Sequence, residues 1–188
     1  MNRTSDYLDY DRTLNKGLNL LKDNKKSRIG FYIIFSINTG LRVSDILKIK
    51  HKDLTGERLN ITERKTKKQR EITLNEVVKK AYSKLVSILK EQNISFTEDD
   101  YIFISQKGSV YKTQSINDVL KTIFSSKSLQ VSSHSLRKSF ARRVYQNLNE
   151  SENALVLLSD IFSHSSVAIT RRYLGIRQET ISNVYLSL

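Results

Sequence analysis

Leu14, Leu18 and Leu21 recur at spacings of four and three between residues 10 and 22, which marks one face of a helix. A second helical stretch covers residues 28–38 and is almost continuously apolar from Ile29 to Ile37. Ser44 reads as the N-cap of a short helix carrying Ile46, Leu47 and Ile49, because its hydroxyl can accept from a free first-turn N–H. After Gly56 the period changes to two. Leu59 and Ile61, then Ile72 and Leu74, flank the polar run from Lys65 to Gln69, which predicts two antiparallel strands joined by a basic turn. Helical period returns through Val77, Val78, Ala81, Tyr82, Leu85, Ile88 and Leu89. A short strand over 101–104 and a turn at Lys107-Gly108 come next, then helices over 115–125, 135–148, 153–162 and 167–173 and an amphipathic tail over 177–188. The pattern predicts a mainly α fold with a small antiparallel β-sheet, of α+β class.

Pro is absent, Gly occurs six times, and no Pro-, Gly- or Ser-rich linker interrupts the chain. The expectation is one domain over residues 1–188, with an N-terminal helical segment over 1–27 and a tail helix over 174–188. The apolar stretch Ile29–Ile37 is far short of the roughly 18–20 residues that span a bilayer, and no signal-peptide core precedes it. A soluble, cytoplasmic protein is expected. The absence of Cys excludes disulfides, thiolate zinc sites, iron–sulfur clusters and Cys nucleophiles. His51, His134 and His164 are too far apart in sequence to suggest a metal site, and no Walker A, dinucleotide-binding glycine pattern or His-Glu-x-x-His occurs. No cofactor and no metal are expected.

Charge narrows the class further: Lys+Arg number 32 against 19 Asp+Glu, a formal net charge of +13. The cations concentrate at residues 64–70, Arg137-Lys138, Arg142-Arg143 and Arg171-Arg172. No basic amphipathic terminus or lipidation motif points to a membrane surface. Any single cluster reads as a solvated helix face or turn; together they point to a phosphate polyanion, which would relieve the self-repulsion.

Four segments carry candidate chemistry. In Thr39-Gly-Leu-Arg-Val-Ser-Asp45 a Gly ends one helix and Arg42 stands in the turn before the next. In His134-Ser-Leu-Arg-Lys-Ser-Phe-Ala141, His134 and Arg137 share a helix face. His164-Ser-Ser-Val-Ala-Ile-Thr-Arg-Arg-Tyr173 begins with a His and ends in a Tyr. Lys65-Thr66 occupies the tip of the expected hairpin. Taken singly these are a surface Arg, a structural His, a core Tyr and a solvated Lys.

Taken jointly, their order and spacing resemble the tyrosine recombinase, or phage integrase, family over about residues 10–173. Thr-Gly-Leu-Arg-Val-Ser, His-x-Leu-Arg-x-x-Phe-Ala and His-Ser-Ser-Val-x-x-Thr-x-x-Tyr are each close to that family's usual wording. The resemblance implies a fold like that family's catalytic domain and double-stranded DNA as the partner. It implies Arg42 and Arg137 as catalytic arginines, Lys65 as the hairpin lysine, His134 and His164 as active-site donors or acceptors, and Tyr173 as nucleophile. Arg64, Lys67, Lys68, Arg70, Lys138, Arg171 and Arg172 are then the candidate DNA contacts. The chain departs from the family wording at Phe162-Ser163-His164, where Leu-Gly-His is common, and at Lys138, where His is frequent. Neither a core-binding nor an arm-binding domain fits in the length, so the expectation is a catalytic domain alone.

The implied reaction is attack of a phenolic oxygen on a DNA phosphodiester, giving a 3′-phosphotyrosyl link and a free 5′-hydroxyl. Without a metal, the charge on the non-bridging oxygens must meet fixed cations, here Arg42 and Arg137. His134 is the candidate acceptor of the Tyr173 proton, and Lys65, with Lys67 second, the candidate donor to the leaving oxygen. Two alternatives stand beside recombination: a type IB topoisomerase acting as a monomer, and a non-catalytic DNA-binding regulator. The complete set of six residues argues against the regulator. The tail separates the other two: Ile181, Val184, Tyr185 and Leu188 form an apolar stripe that either packs on its own domain or, as the resemblance implies, docks on a neighbouring protomer of a tetramer on DNA.

Overall fold

The computed structural model describes residues 5–124 and 129–188, the side chains of residues 177–181 excepted. Helix α1 (Tyr10–Leu21) starts at Asp9, whose carboxylate accepts from the Arg12 N–H. It crosses α2 (Ser27–Thr39) at close range: a Cβ on Gly30 would lie 2.3 Å from the Leu21 nitrogen. That contact admits only Gly. Phe31, Ile33, Ile34 and Phe35 of α2 are fully buried, so α2 is the central helix, explaining its unbroken hydrophobicity in place of a one-sided stripe.

Helices α4 (Glu76–Glu91) and α6 (Ser133–Asn147) cover α2, with α5 (Thr113–Ile123) against α6. Strands β1 (Arg58–Thr62) and β2 (Gln69–Thr73) pair antiparallel, with Leu59 opposite Ile72 and Ile61 opposite Arg70, as the alternation predicts. Helices α7 (Glu152–Phe162) and α8 (Val167–Leu174) build a second apolar cluster with the later half of α6, around Ala141, Leu155, Leu158 and Phe162. Leu136, earlier on α6, belongs to the first cluster. Residue 137 therefore stands where the two cores meet.

Three expectations need correction. The strand over 101–104 is replaced by isolated bridges, Lys50 with Tyr101 and Ile104 with Val110. The Ile102 N–H donates to Ile49 and the Phe103 carbonyl accepts from Tyr111, so successive residues bond to different segments and no ladder develops. Ser44 is not a cap. Helix α3 (Val43–Ile46) starts from Arg42, whose carbonyl already accepts from Asp45 and Ile46, leaving Ser44 inside a four-residue turn that ends before Ile49. The tail forms α9 (Ile176–Leu186); Ile176 packs against the second cluster, but Val184, Tyr185 and Leu188 are 54%, 75% and 98% exposed, so these three are not packed on their own domain, and Ile181 lies outside the described side chains. Ser125, at the expected end of α5, lies outside the described residues. Among the described residues no helix is long and apolar enough to cross a membrane.

Candidate active site

The site is assembled where α2 ends. Gly40 terminates α2 in the left-handed region at φ 61, and an added Cβ would stand 2.3 Å from Phe140 Cδ1. Its carbonyl accepts from Arg137 Nη1 at 2.7 Å. Two residues on, Arg42 sits in extended backbone; its Nη1 donates to Glu63 Oε2 at 2.7 Å and its Nη2 to the Phe162 carbonyl at 3.1 Å. The Thr-Gly-Leu-Arg wording thus encodes a helix stop, an anchor for one guanidinium and the placement of another.

Glu63 heads the turn between β1 and β2 and is wholly buried. Burial alone would raise its pKa, yet donors from Thr66, Arg70 and Arg42 outweigh it and bring the carboxyl down to about 2. On the other side of the turn the buried Asp45 carboxylate accepts from the Arg64 N–H at 3.0 Å. Two buried acids thus pin the segment that carries Lys65.

Arg137 is 4% exposed, with its guanidinium carbon 4.1 Å from the centre of the Phe162 ring. Burial pushes it down to about 10, so it stays cationic at neutral pH. The Phe162 ring also meets His164 and Tyr173 edge-on, at centroid distances of 5.4 and 5.5 Å, and those two rings lie 5.6 Å apart. His164 Nδ1 is 2.9 Å from the hydroxyl of Thr170, itself fully buried. Both His134 and His164 are lowered below 6.5, first by desolvation and then by Arg137, Arg42 and Lys65, with Lys138 adding to His134. Both imidazoles are therefore neutral at pH 7. Lys65 is among the cations acting on both.

The Tyr173 hydroxyl is buried and makes no well-aligned hydrogen bond among the described residues, the Arg137 guanidinium standing near enough to act as a donor to it. Burial pushes it up to about 12, although the charges of Arg137 and Arg42 pull the other way. Lys138 Nζ lies 5.4 Å from the centre of the same ring. The arrangement holds a protonated phenol beside two fixed guanidinium groups, two neutral imidazoles and a lysine on a turn. Among the described residues no three His, Cys, Asp or Glu side chains gather as a metal site would require.

The remaining basic candidates divide. Arg64, Lys67, Lys68 and Arg172 are exposed. Arg70 turns inward to Glu63 at 3.0 Å, and Arg171 is paired with the Glu152 carboxylate. Of the three His, only His51 lies apart, stacked on Phe96. Sequence reasoning missed Glu63, Asp45 and Phe162 as parts of the site. The signal for Glu63 was a single acid at the head of the basic run 64–70, and for Phe162 the aromatic standing where the family wording has Leu.

With this geometry in view, comparisons with known proteins agree. The sequence profile of the phage integrase family matches residues 12–179. The chain is 32% identical over 165 residues to the probable integrase/recombinase YoeC of Bacillus subtilis (strain 168), covering 86% of this chain and 85% of that protein. It is 25% identical over 191 residues to the tyrosine recombinase XerC of Leptospira interrogans serogroup Icterohaemorrhagiae serovar copenhageni, and spans 56% of that protein's length. The crystal structure of XerA recombinase shares the fold with a TM-score of 0.67 at 22% identity, covering 100% of this chain and 66% of XerA. That of the XerH site-specific recombinase bound to difH in a pre-cleavage complex does so with 0.64 at 24% identity, covering 97% of this chain and 54% of XerH. By profile, by sequence relatives and by fold, the chain belongs to the phage integrase family, that of the tyrosine recombinases.

Proposed function

We propose that this chain performs site-specific DNA recombination, cleaving a strand with Tyr173 and rejoining it through a 3′-phosphotyrosyl intermediate. The observation that carries the reading is the convergence of Arg42, Arg137, His164 and Tyr173 on one residue, Phe162, Arg42 at its carbonyl and the other three at its ring. A scissile phosphate seated against the two guanidinium groups places its non-bridging oxygens on planar forks that remain charged throughout. Tyr173, protonated at rest, gives its proton to neutral His134 as its oxygen bonds to phosphorus. With the Thr170 hydroxyl donating to His164 Nδ1, His164 Nε2 carries a proton and donates to a phosphate oxygen. Lys65 protonates the departing 5′-oxygen. The phosphotyrosyl ester retains the energy of the broken bond, so attack by another 5′-hydroxyl reverses the sequence with no nucleotide cofactor.

Double-stranded DNA is the proposed partner, as in the XerH complex, with the exposed Arg64, Lys67, Lys68 and Arg172 meeting backbone phosphates. Arg70 braces Glu63 from within, Arg171 pairs with Glu152 at the surface, and Lys138 serves as a cation beside the nucleophile. The exposed apolar end of α9 supports assembly of protomers on DNA through the tail, for which a tetramer is the proposed form. The test is a pool of nicked suicide duplexes of randomised sequence, in which cleavage releases a short strand and traps the enzyme. A covalent adduct on a denaturing gel, with DNA attached to the Tyr173 peptide, is expected, and sequencing the trapped strands reads out the site. Absence of any adduct from the pool, or attachment at another Tyr, overturns the reading.

A further inference from the structure

We propose that Glu63 is a positioning residue that ties Arg42 to the hairpin turn carrying Lys65, so that the phosphate-binding arginine and the leaving-group acid move as one unit; the inference rests on the reaction proposed above. A carboxylate taken out of water is unfavourable unless its lone pairs meet donors. Glu63 meets three, from separate segments. Its Oε2 accepts from Arg42 Nη1 at 2.7 Å and from Thr66 Oγ1 at 2.6 Å, and its Oε1 from Arg70 Nη1 at 3.0 Å. Arg42 belongs to the corner after α2, Thr66 to the turn itself and Arg70 to β2.

The shared oxygen is what makes the coupling. Arg42 and Thr66 bind one atom, so displacing the guanidinium relaxes the hydroxyl of the residue adjoining Lys65, and displacing the turn relaxes the guanidinium. The main chain of Glu63 closes the same turn, its N–H donating to the Lys68 carbonyl and its carbonyl accepting from the Lys67 N–H, both at 2.9 Å. Lys65 lies within this closed turn and is exposed, so its backbone is held while its ammonium is free to reach DNA. Holding the hairpin alone would require no more than Thr66 and Arg70. The bond to Arg42, reaching across 21 positions in sequence, is the one that a purely structural role leaves unexplained.

Single-turnover cleavage tests this with suicide duplexes of the sequence recovered from the pool, in ordinary form and with the bridging 5′-oxygen at the scissile bond replaced by sulfur, a leaving group that needs little protonation. Glu63→Gln keeps the shape and removes the charge; Thr66→Val cuts the branch to the turn, together with the long 3.4 Å contact from the Lys68 N–H, and leaves both ion pairs. On ordinary DNA, Glu63→Gln is expected to cleave about 10²-fold slower and Thr66→Val about tenfold slower, at unchanged DNA affinity, the scale of a small misplacement of reacting groups. On the sulfur substrate Thr66→Val returns to within about twofold of wild type, and Glu63→Gln regains about tenfold, retaining the part due to Arg42. Equal slowing on both substrates overturns the link to Lys65, and unchanged rates on both overturn the proposal altogether. If Glu63→Gln fails to fold, Thr66→Val decides alone by the same ratio. Wild-type protein that forms no adduct sinks the parent reaction instead, which keeps the two failures apart.

Discussion

The guanidinium carbon of Arg137 lies over the Phe162 ring, 4.1 Å from its centre, while Nη1 of the same arginine reaches back to the Gly40 carbonyl at 2.7 Å. The ring contact and the hydrogen bond together restrict the guanidinium from two sides. Phe162 also lends its carbonyl to Arg42 Nη2, so one residue at the end of α7 orients both arginines.

Arg137→Lys is therefore expected to lose far more than its conserved charge suggests. A lysine ammonium neither stacks flat on Phe162 nor presents two parallel donors to a phosphate. Single-turnover cleavage should fall by about 10²–10³, the usual cost of one preorganised donor to developing anionic charge. Cleavage within about threefold of wild type, at the donor cost cited, would reduce Arg137 to a point charge that helps hold DNA.

Tyr173→Phe is expected to abolish the adduct and leave the fold intact or slightly firmer. The Tyr173 hydroxyl is buried with no well-aligned partner and only the Arg137 guanidinium near it, so its removal deletes a poorly satisfied polar atom and spares the ring contacts with Phe162 and His164. The urea midpoint should stay level or rise, by up to about 1 kcal/mol in stability. A clear loss of stability would mean that the hydroxyl has a partner in the folded state and is not poised for attack.

Most elements were legible because their signals are local. The hairpin followed from alternation at Leu59, Ile61 and Ile72, and its register agrees with that alternation. The arginines, histidines and tyrosine stood out by spacing. What stayed hidden was pairing across distance. Glu63 reaches Arg42 through a fold contact that no window of sequence contains, and the same carboxylate also holds Arg70, a pairing that the run of basic residues did not announce. Residues 101–104 looked like a strand because they are apolar and β-prone, but a strand also needs a partner that runs alongside, and theirs bond to separate segments. Ser44 failed as a cap for a subtler reason, since the Arg42 carbonyl had already opened the helix.

Two helix ends in the left-handed region respond in opposite directions to substitution. Gly40, at φ 61, has Phe140 directly where a Cβ would go, so Gly40→Ala combines backbone strain with a steric clash and should cost about 2–4 kcal/mol. Ser163 ends α7 at φ 53 and ψ 45, with the His164 N–H returning to the Ser159 carbonyl as in a Schellman ending. This is the position where the family wording has Gly. Ser163→Gly should stabilise the protein by about 0.5–1 kcal/mol, the relieved strain less the greater freedom of Gly in the unfolded chain. Urea midpoints check both, and a destabilised Ser163→Gly would show that the serine side chain supplies more than the strain it imposes.

The pH dependence of stability should trace to a histidine outside the site. His51 is 2% exposed, its Nδ1 is 2.9 Å from the Tyr82 hydroxyl, and its Nε2 is buried without a partner among the described residues. Burial, with Arg28 adding to it and Asp100 opposing, brings it down to about 4. An unfolded His takes a proton near 6.5, so below that pH the unfolded chain binds a proton that the folded chain refuses until about pH 4. Stability is thus fully present above 6.5 and drains as the pH falls through this window, by about 2–3 kcal/mol from this residue. His134 and His164 are shifted in the same direction and add to the slope, whereas Glu63, lowered from 4.5 to about 2, begins to lose its contribution only at the acid end of the window. Urea unfolding at pH 7, 5.5 and 4.5 should give a steep decline for wild type and a visibly shallower one for His51→Gln, whatever that variant's stability at pH 7. Parallel declines in the two proteins would assign the acid sensitivity to the site histidines and would mean that His51 takes up its proton in the folded state as readily as in the unfolded one.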